Sequence, residues 1–224
     1  MAKSSAAELP GQMEEAKQER PYHHGALPEA LMQAAETVLE RDGLRGLTLR
    51  AIAREAGVSH TAPKHHFGDT AGILSELAAV GHRRLTAAMR DKALEHPPGN
   101  TRRRAIARGY VSFAHDNPDL FRLMSRDELL DFKRASLVEA LRGSAAALAG
   151  VFDVQPEGEG PFGQRLDDAL AIRMTAAWSF VHGLATLLVD RQLDSIAVAS
   201  GLGDPVALVE ATIARIGLVL DPPA

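Results

Sequence analysis

Five hydrogen-bond donors crowd one short stretch of this chain. His60, Thr61, Lys64, His65 and His66 fall within SHTAPKHHF, and no carboxylate stands among them. Metal binding is one chemistry such histidines can offer, but His65 and His66 are adjacent. On a helix they point about 100° apart, and no cysteine or acid nearby completes a ligand set. His23-His24 sits close to a polar terminus and reads as solvent-exposed. Catalysis finds no better footing. There is no P-loop, no G-x-S-x-G, no H-E-x-x-H and no cysteine nucleophile, and the pairs His115-Asp116 and Asp167-Asp168 diverge as sequence neighbours. No enzyme, metal or cofactor is expected. What remains is recognition of an acceptor-rich surface, such as phosphates and base edges.

The flanking residues supply the elements to hold those donors. In LTLRAIAREAGVSHTAPKHHF, Thr48 is a good N-cap, and Ile52, Ala53 and Ala56 form an apolar stripe at helical spacing. Gly57 follows where a helix C-terminus needs a left-handed residue. Val58 is a buried-type residue in the turn, and Ser59 can cap the second helix. Pro63 near the first turn of that helix costs little, since its missing N–H would be free anyway. A short donor-bearing helix in a tight helix pair fits a DNA major groove.

The 224 residues carry a net charge of −4, from 25 Lys and Arg against 29 Asp and Glu. That balance argues against non-specific coating of nucleic acid but leaves a local docking face open. Around the donors, Arg50, Arg54 and Lys64 stand against Glu55. The absence of cysteine suits a reducing cytoplasm. Residues 1–20 are polar, lack an apolar signal-peptide core, and read as a disordered tail. The longest uncharged run, from Met174 to Val189, is interrupted by Thr175, Ser179, His182 and Gly183. It falls short of the roughly 20 apolar residues that span a bilayer, so no membrane partner is expected.

Helical periodicity covers the rest, and the fold is expected to be all-α with about nine helices. Leu27, Leu31, Ala34, Ala35, Val38 and Leu39 form a first stripe that stops at Asp42-Gly43. Asp69 caps a long helix carrying Leu74, Leu77, Ala78, Gly81, Leu85 and Met89, which ends before His96-Pro97-Pro98-Gly99. A helix from Thr101 bears Ile106, Tyr110, Phe113 and Ala114 and stops at Asn117-Pro118. The segment DLFRLM is too apolar for an ordinary loop. Another helix is expected from about Asp127 to Val151, then a surface loop, VQPEGEGPFG. The helices at 166–191 and 205–220 are apolar around most of their circumference, which suggests burial on both sides and a subunit interface.

The chain resembles the TetR family of transcriptional regulators from about Tyr22 onward. The likeness is strongest over YHHGALPEAL, GLRGLTLRAIAREAGVSHTAPKHHF and GILSELA. A weaker one links GYVSFAHDNPDLFRLM and AWSFVHGLATLLVD to the subgroup with a Trp-x-x-x-His-Gly pattern, here Trp178, His182 and Gly183. The resemblance implies a DNA-binding domain at 21–68 and an effector-binding, dimerising domain at 69–224. It implies a cytoplasmic homodimeric repressor, joined through the last two helices, that holds a palindromic double-stranded operator until a small molecule releases it. By position it assigns DNA contacts to Thr48, Arg50, Ser59, His60, Thr61, Ala62, Lys64, His65 and His66. Two residues depart from the pattern: Lys64 replaces a usual Tyr, and Thr70 a usual Lys at the start of the fourth helix. Phe121, Met124, Phe132, Trp178 and His182 are either packed core or the lining of a cavity for a hydrophobic effector. A dimeric helical adaptor that has lost DNA binding is the alternative reading.

Overall fold

Each apolar stripe becomes a helix with one buried face. The computed structural model describes residues 27–150 and 168–215. The tail at 1–20, the order expected from Tyr22, the loop at VQPEGEGPFG and the end of the last helix lie outside them. Among the described residues there are ten α-helices and one 3₁₀ turn, and no strand.

Helix α1 (Leu27–Gly46) buries Leu31, Ala34, Ala35, Val38 and Leu39, and its helical backbone breaks at Gly43 (φ 67°, ψ −174°), at the expected stop. Helices α2 (Leu49–Glu55) and α3 (Ala62–Phe67) follow, then the 25-residue α4 (Thr70–Leu94). Asp69 caps α4 by accepting from the Gly72 N–H at 2.8 Å. α4 is the spine: it packs on α1, α3, α6 (Pro118–Met124), α5 (Asn100–Asp116) and α7 (Ala135–Ala149). DLFRLM therefore lies in α6, with Leu120, Phe121, Leu123 and Met124 buried.

Two expected helices differ in extent. The single helix predicted from Asp127 is a 3₁₀ turn (Asp127–Leu129), a break, and then α7. One tertiary and one local bond hold the break open. The Asp131 N–H donates to Ser75 Oγ of α4 at 2.7 Å, and the Asp131 carboxylate accepts from the Lys133 N–H at 3.0 Å. A further short helix, α9 (Asp194–Ala199), lies between α8 (Asp168–Val189) and α10 (Pro205–Arg215).

The expectation that α8 is buried on both sides is not met within one chain. Met174, Ala177, Val181, Ala185 and Leu188 are buried, and α8 packs mainly on α5, with α7 and α10. Ile172 is 69% exposed, Trp178 51% and Leu187 36%. By length and composition alone α8 would suffice to cross a membrane. Ring and hydroxyl contacts to α5 and α6, described below, tie it into the helical core.

Candidate nucleic-acid interface

The α2–α3 pair is set by a backbone lock. Thr48 opens α2, its hydroxyl accepting from the Ala51 N–H at 3.2 Å. At the other end the Gly57 N–H donates to Arg54 O at 3.2 Å and the Val58 N–H to Ala53 O at 3.0 Å. This is the paired closure of a Schellman motif, and it needs a left-handed residue between the two bonds. Gly57 supplies it, at φ 67°. Val58, half-buried, packs against the core as the chain turns.

Ser59 acts earlier than a cap of α3. Its Oγ accepts from the Thr61 N–H at 3.4 Å and lies 2.9 Å from Thr61 Oγ1, so it organises the turn before the helix. Thr61 takes the N-cap position without a side-chain cap bond. His60 and Thr61 therefore lie on the lead-in, while Ala62, Lys64, His65 and His66 lie on α3 itself. Pro63 and Phe67 point inward and are buried. His60, Thr61, Lys64, His65 and His66 are all exposed, and Ala62 is half-buried. Thr48 and Arg50 are exposed at the start of α2, so all nine candidates belong to one helix pair.

Electrostatics leave that face free of competing acid. Arg41 of α1 pairs with Glu55 at 2.6 Å and with Asp42 at 2.9 Å. The Arg41 hydrogen bond holds the Asp42 carboxyl below its ordinary range. Glu55, the acid of the helix pair, is thereby engaged from behind. Arg50, Arg54 and Lys64 make no ion pair among the described residues. Asp69, the next acid in sequence, is occupied as the α4 cap.

A second cluster lies in the C-terminal half. The Tyr110 hydroxyl of α5 meets His182 Nδ1 of α8 at 3.0 Å. Phe121 stacks at a tilt on His182, with ring centroids 5.3 Å apart, and meets Tyr110 edge-on at 6.1 Å. Trp178 lies 5.8 Å from His182. Burial pushes the Tyr110 hydroxyl up to about 12, against a smaller opposing pull from the Trp178 indole, and lowers His182 from its ordinary value. Both groups are neutral at pH 7. Beside them runs a narrow crevice walled by Ile106, Ala107, Leu148, Ala177, Phe180 and Val181, together with Arg103.

The structure thus gathers Phe121, Trp178 and His182 but not the other two pocket candidates. Met124 packs against Gly81 of α4, where its sulfur fills the space a Cβ would take. Phe132 is 45% exposed in the break before α7 and joins none of these ring contacts. Tyr110 was legible only as a core residue, since its partner His182 is 72 residues away.

Fold and site together define an all-α protein with a helix-turn-helix at its N-terminal end. Residues 31–77 match the family described as bacterial regulatory proteins, tetR family, and residues 103–216 match a tetracyclin repressor-like C-terminal domain. The chain belongs to the TetR family of transcriptional regulators. A structure from Rhodococcus sp. RHA1, described as a protein with unknown function, is 36% identical, with a TM-score of 0.66 over 87% of this chain and 94% of that one. Bacillus subtilis FadR, solved in complex with stearoyl-CoA, shares the fold at 17% identity and a TM-score of 0.54, covering 83% of this chain and 95% of its own. YobS of Bacillus subtilis (strain 168), an uncharacterized HTH-type transcriptional regulator, is 27% identical over 97 residues, 43% of this chain and 50% of YobS. The chain spans about half the length of the curated relatives it matches.

Proposed function

We propose that this protein is a homodimeric, ligand-responsive repressor that binds a palindromic operator through α2 and α3. One observation carries the reading: α3 presents exposed donors on a turn locked by Gly57, while the acid of the helix pair, Glu55, is tied to Arg41. Lys64 and Arg50 take phosphates, and His60, Thr61 and Ala62 face base edges. Residues 21–68 form the reading head and 69–224 the effector and dimerisation domain. Exposed Ile172, Trp178 and Leu187 on α8, with Ile196 and Val198 on α9, support pairing of two copies through this end of the fold. The pair then sets two α3 helices in successive major grooves, about 34 Å apart.

The effector is an apolar small molecule that enters the α5–α7–α8 crevice, with Tyr110, which lines it, as the polar anchor. It acts by binding better to the dimer whose α3 spacing no longer fits the operator, with α4 as the lever. Footprinting on DNA flanking the gene tests the reading. Protection of a palindrome supports it; no protection at low salt favours the non-DNA-binding adaptor. A thermal-shift screen of small molecules, followed by DNA competition, tests the switch. If every stabilising compound left DNA affinity unchanged, release by ligand would be abandoned.

A further inference from the structure

Helix α3 has six residues, too few to hold a helical conformation or an orientation alone. Its pose comes from what grips it. Pro63 and Phe67 fix its inner face, but they leave its C-terminal end, where carbonyls lack helical partners. One of those carbonyls is not left to solvent. Arg134, 67 residues further on, reaches back and donates from Nη2 to Phe67 O. A cation there also suits the negative end of the helix dipole.

Arg134 is itself held. Its Nη1 lies 3.3 Å from Glu76 Oε1 of α4, and its Nε 3.8 Å from Asp131 Oδ2. Ser136, in the first turn of α7, donates to the same Glu76 oxygen at 2.8 Å. The fit leaves no slack, because a Cβ at Gly72 would collide with both Phe67 O and the Arg134 guanidinium. The end of α3, the start of α4 and the start of α7 thus meet at one guanidinium.

We propose that Arg134 is a positioning residue for DNA binding, tying the end of α3 to the start of α7. Movement of α7 is then felt at the reading surface directly, without bending of α4. The inference rests on the DNA-binding reading above, and it assigns Arg134 no contact with DNA. That last point separates it from an ordinary phosphate-binding arginine.

The test uses the full chain and a duplex that the parent protein enriches from a random-sequence library. Arg134→Gln should weaken binding roughly tenfold or more, the scale of losing a charged hydrogen bond. The salt slope should stay unchanged, because no phosphate contact is removed. Lys64→Ala, run beside it, should lower that slope by about one. Hydrogen exchange should quicken over residues 62–68 in Arg134→Gln while α5 and α8 keep their protection. Arg134→Lys, which keeps the charge but loses the planar fork that spans Phe67 O and Glu76, should fall between. A slope lowered by about one in Arg134→Gln would make it a phosphate contact and overturn the proposal. Unchanged affinity together with unchanged exchange would overturn it too. If the parent enriches no duplex, the DNA-binding reading falls and the proposed role falls with it. If Arg134→Gln does not fold, Glu76→Gln decides the matter: weaker binding and faster exchange in α3 support the tether, and no change in either refutes it.

Discussion

Lowering the pH should destabilise this protein through a histidine that takes no part in the proposed recognition. His82 lies on the α7 side of α4, where Nδ1 meets Ser144 Oγ at 3.0 Å and Nε2 is buried without a partner. Burial pushes its pKa down to about 4. In the unfolded chain the same imidazole titrates near 6.5. Between those values the unfolded state binds the extra proton, so stability falls as the pH drops below 6.5 and the loss is complete below about 4. At pH 5 the penalty is about 2 kcal/mol relative to pH 7, and it approaches about 3 kcal/mol at its limit. For a chain of this size, 2 kcal/mol corresponds to a Tm lower by about 4–8 °C. His82→Asn keeps a polar atom within reach of Ser144 and removes the titration. Melting followed by circular dichroism at pH 7 and pH 5 should show a smaller drop for the variant by about that amount. His182, also lowered by burial, acts in the same direction in both proteins and cancels in the comparison. Equal drops in parent and variant would mean that His82 is hydrated or protonated in the fold, and would refute the reasoning.

Three further outcomes follow from particular contacts. Gly57→Ala meets nothing within 4 Å but must adopt φ 67°, so it should cost roughly 1–2 kcal/mol in chemical denaturation. Gly72→Ala meets the Phe67 carbonyl and Arg134, neither of which can move cheaply, and should cost more than Gly57→Ala and weaken DNA binding as well. Equal costs would show that the α3–α4 corner is looser than these contacts imply. Trp178→Glu puts a charge on an exposed apolar face of α8 and should shift the protein toward monomer in sedimentation velocity; an unchanged dimer would place the interface elsewhere.

The parts of this fold legible in sequence are those whose cause is local. The α1 stripe, the Gly57 turn, the Asp69 cap and the Asn117-Pro118 corner each depend on neighbours within a few residues, and each stands where the pattern puts it. The break before α7 is not legible, because LDFKRAS neither starts nor stops a helix by itself; Ser75, on another helix, claims the Asp131 N–H. Trp178 shows a different limit. An all-round apolar helix looks the same whether its second face meets the same chain or another, so composition cannot separate core from interface. Residue type alone groups Phe132 with the pocket, and only the position of the break shows it to be half exposed.

Arg122 and Arg134, on either side of the break before α7, extend that point to mechanism. Arg122 of α6 donates from Nη2 to Val189 O at the end of α8, at 2.8 Å, and pairs with Asp190 at 3.2 Å. Arg134 does the equivalent at the end of α3. Each satisfies a helix-terminal carbonyl with a cation, a local stabilisation of the kind any helix end invites. What differs is their placement on one short stretch of chain, between the helix with the exposed apolar face and the helix with the exposed donors. If α8 moves in the proposed switch, its displacement has a bonded route to α3 through residues 122–134, parallel to the proposed route along α4. Two such routes, meeting at the first turns of α4, would let the proposed switch reach α3 from more than one helix of the C-terminal domain. A six-residue helix with only its own apolar face to hold it could not be switched so, because nothing outside its own domain would hold its far end.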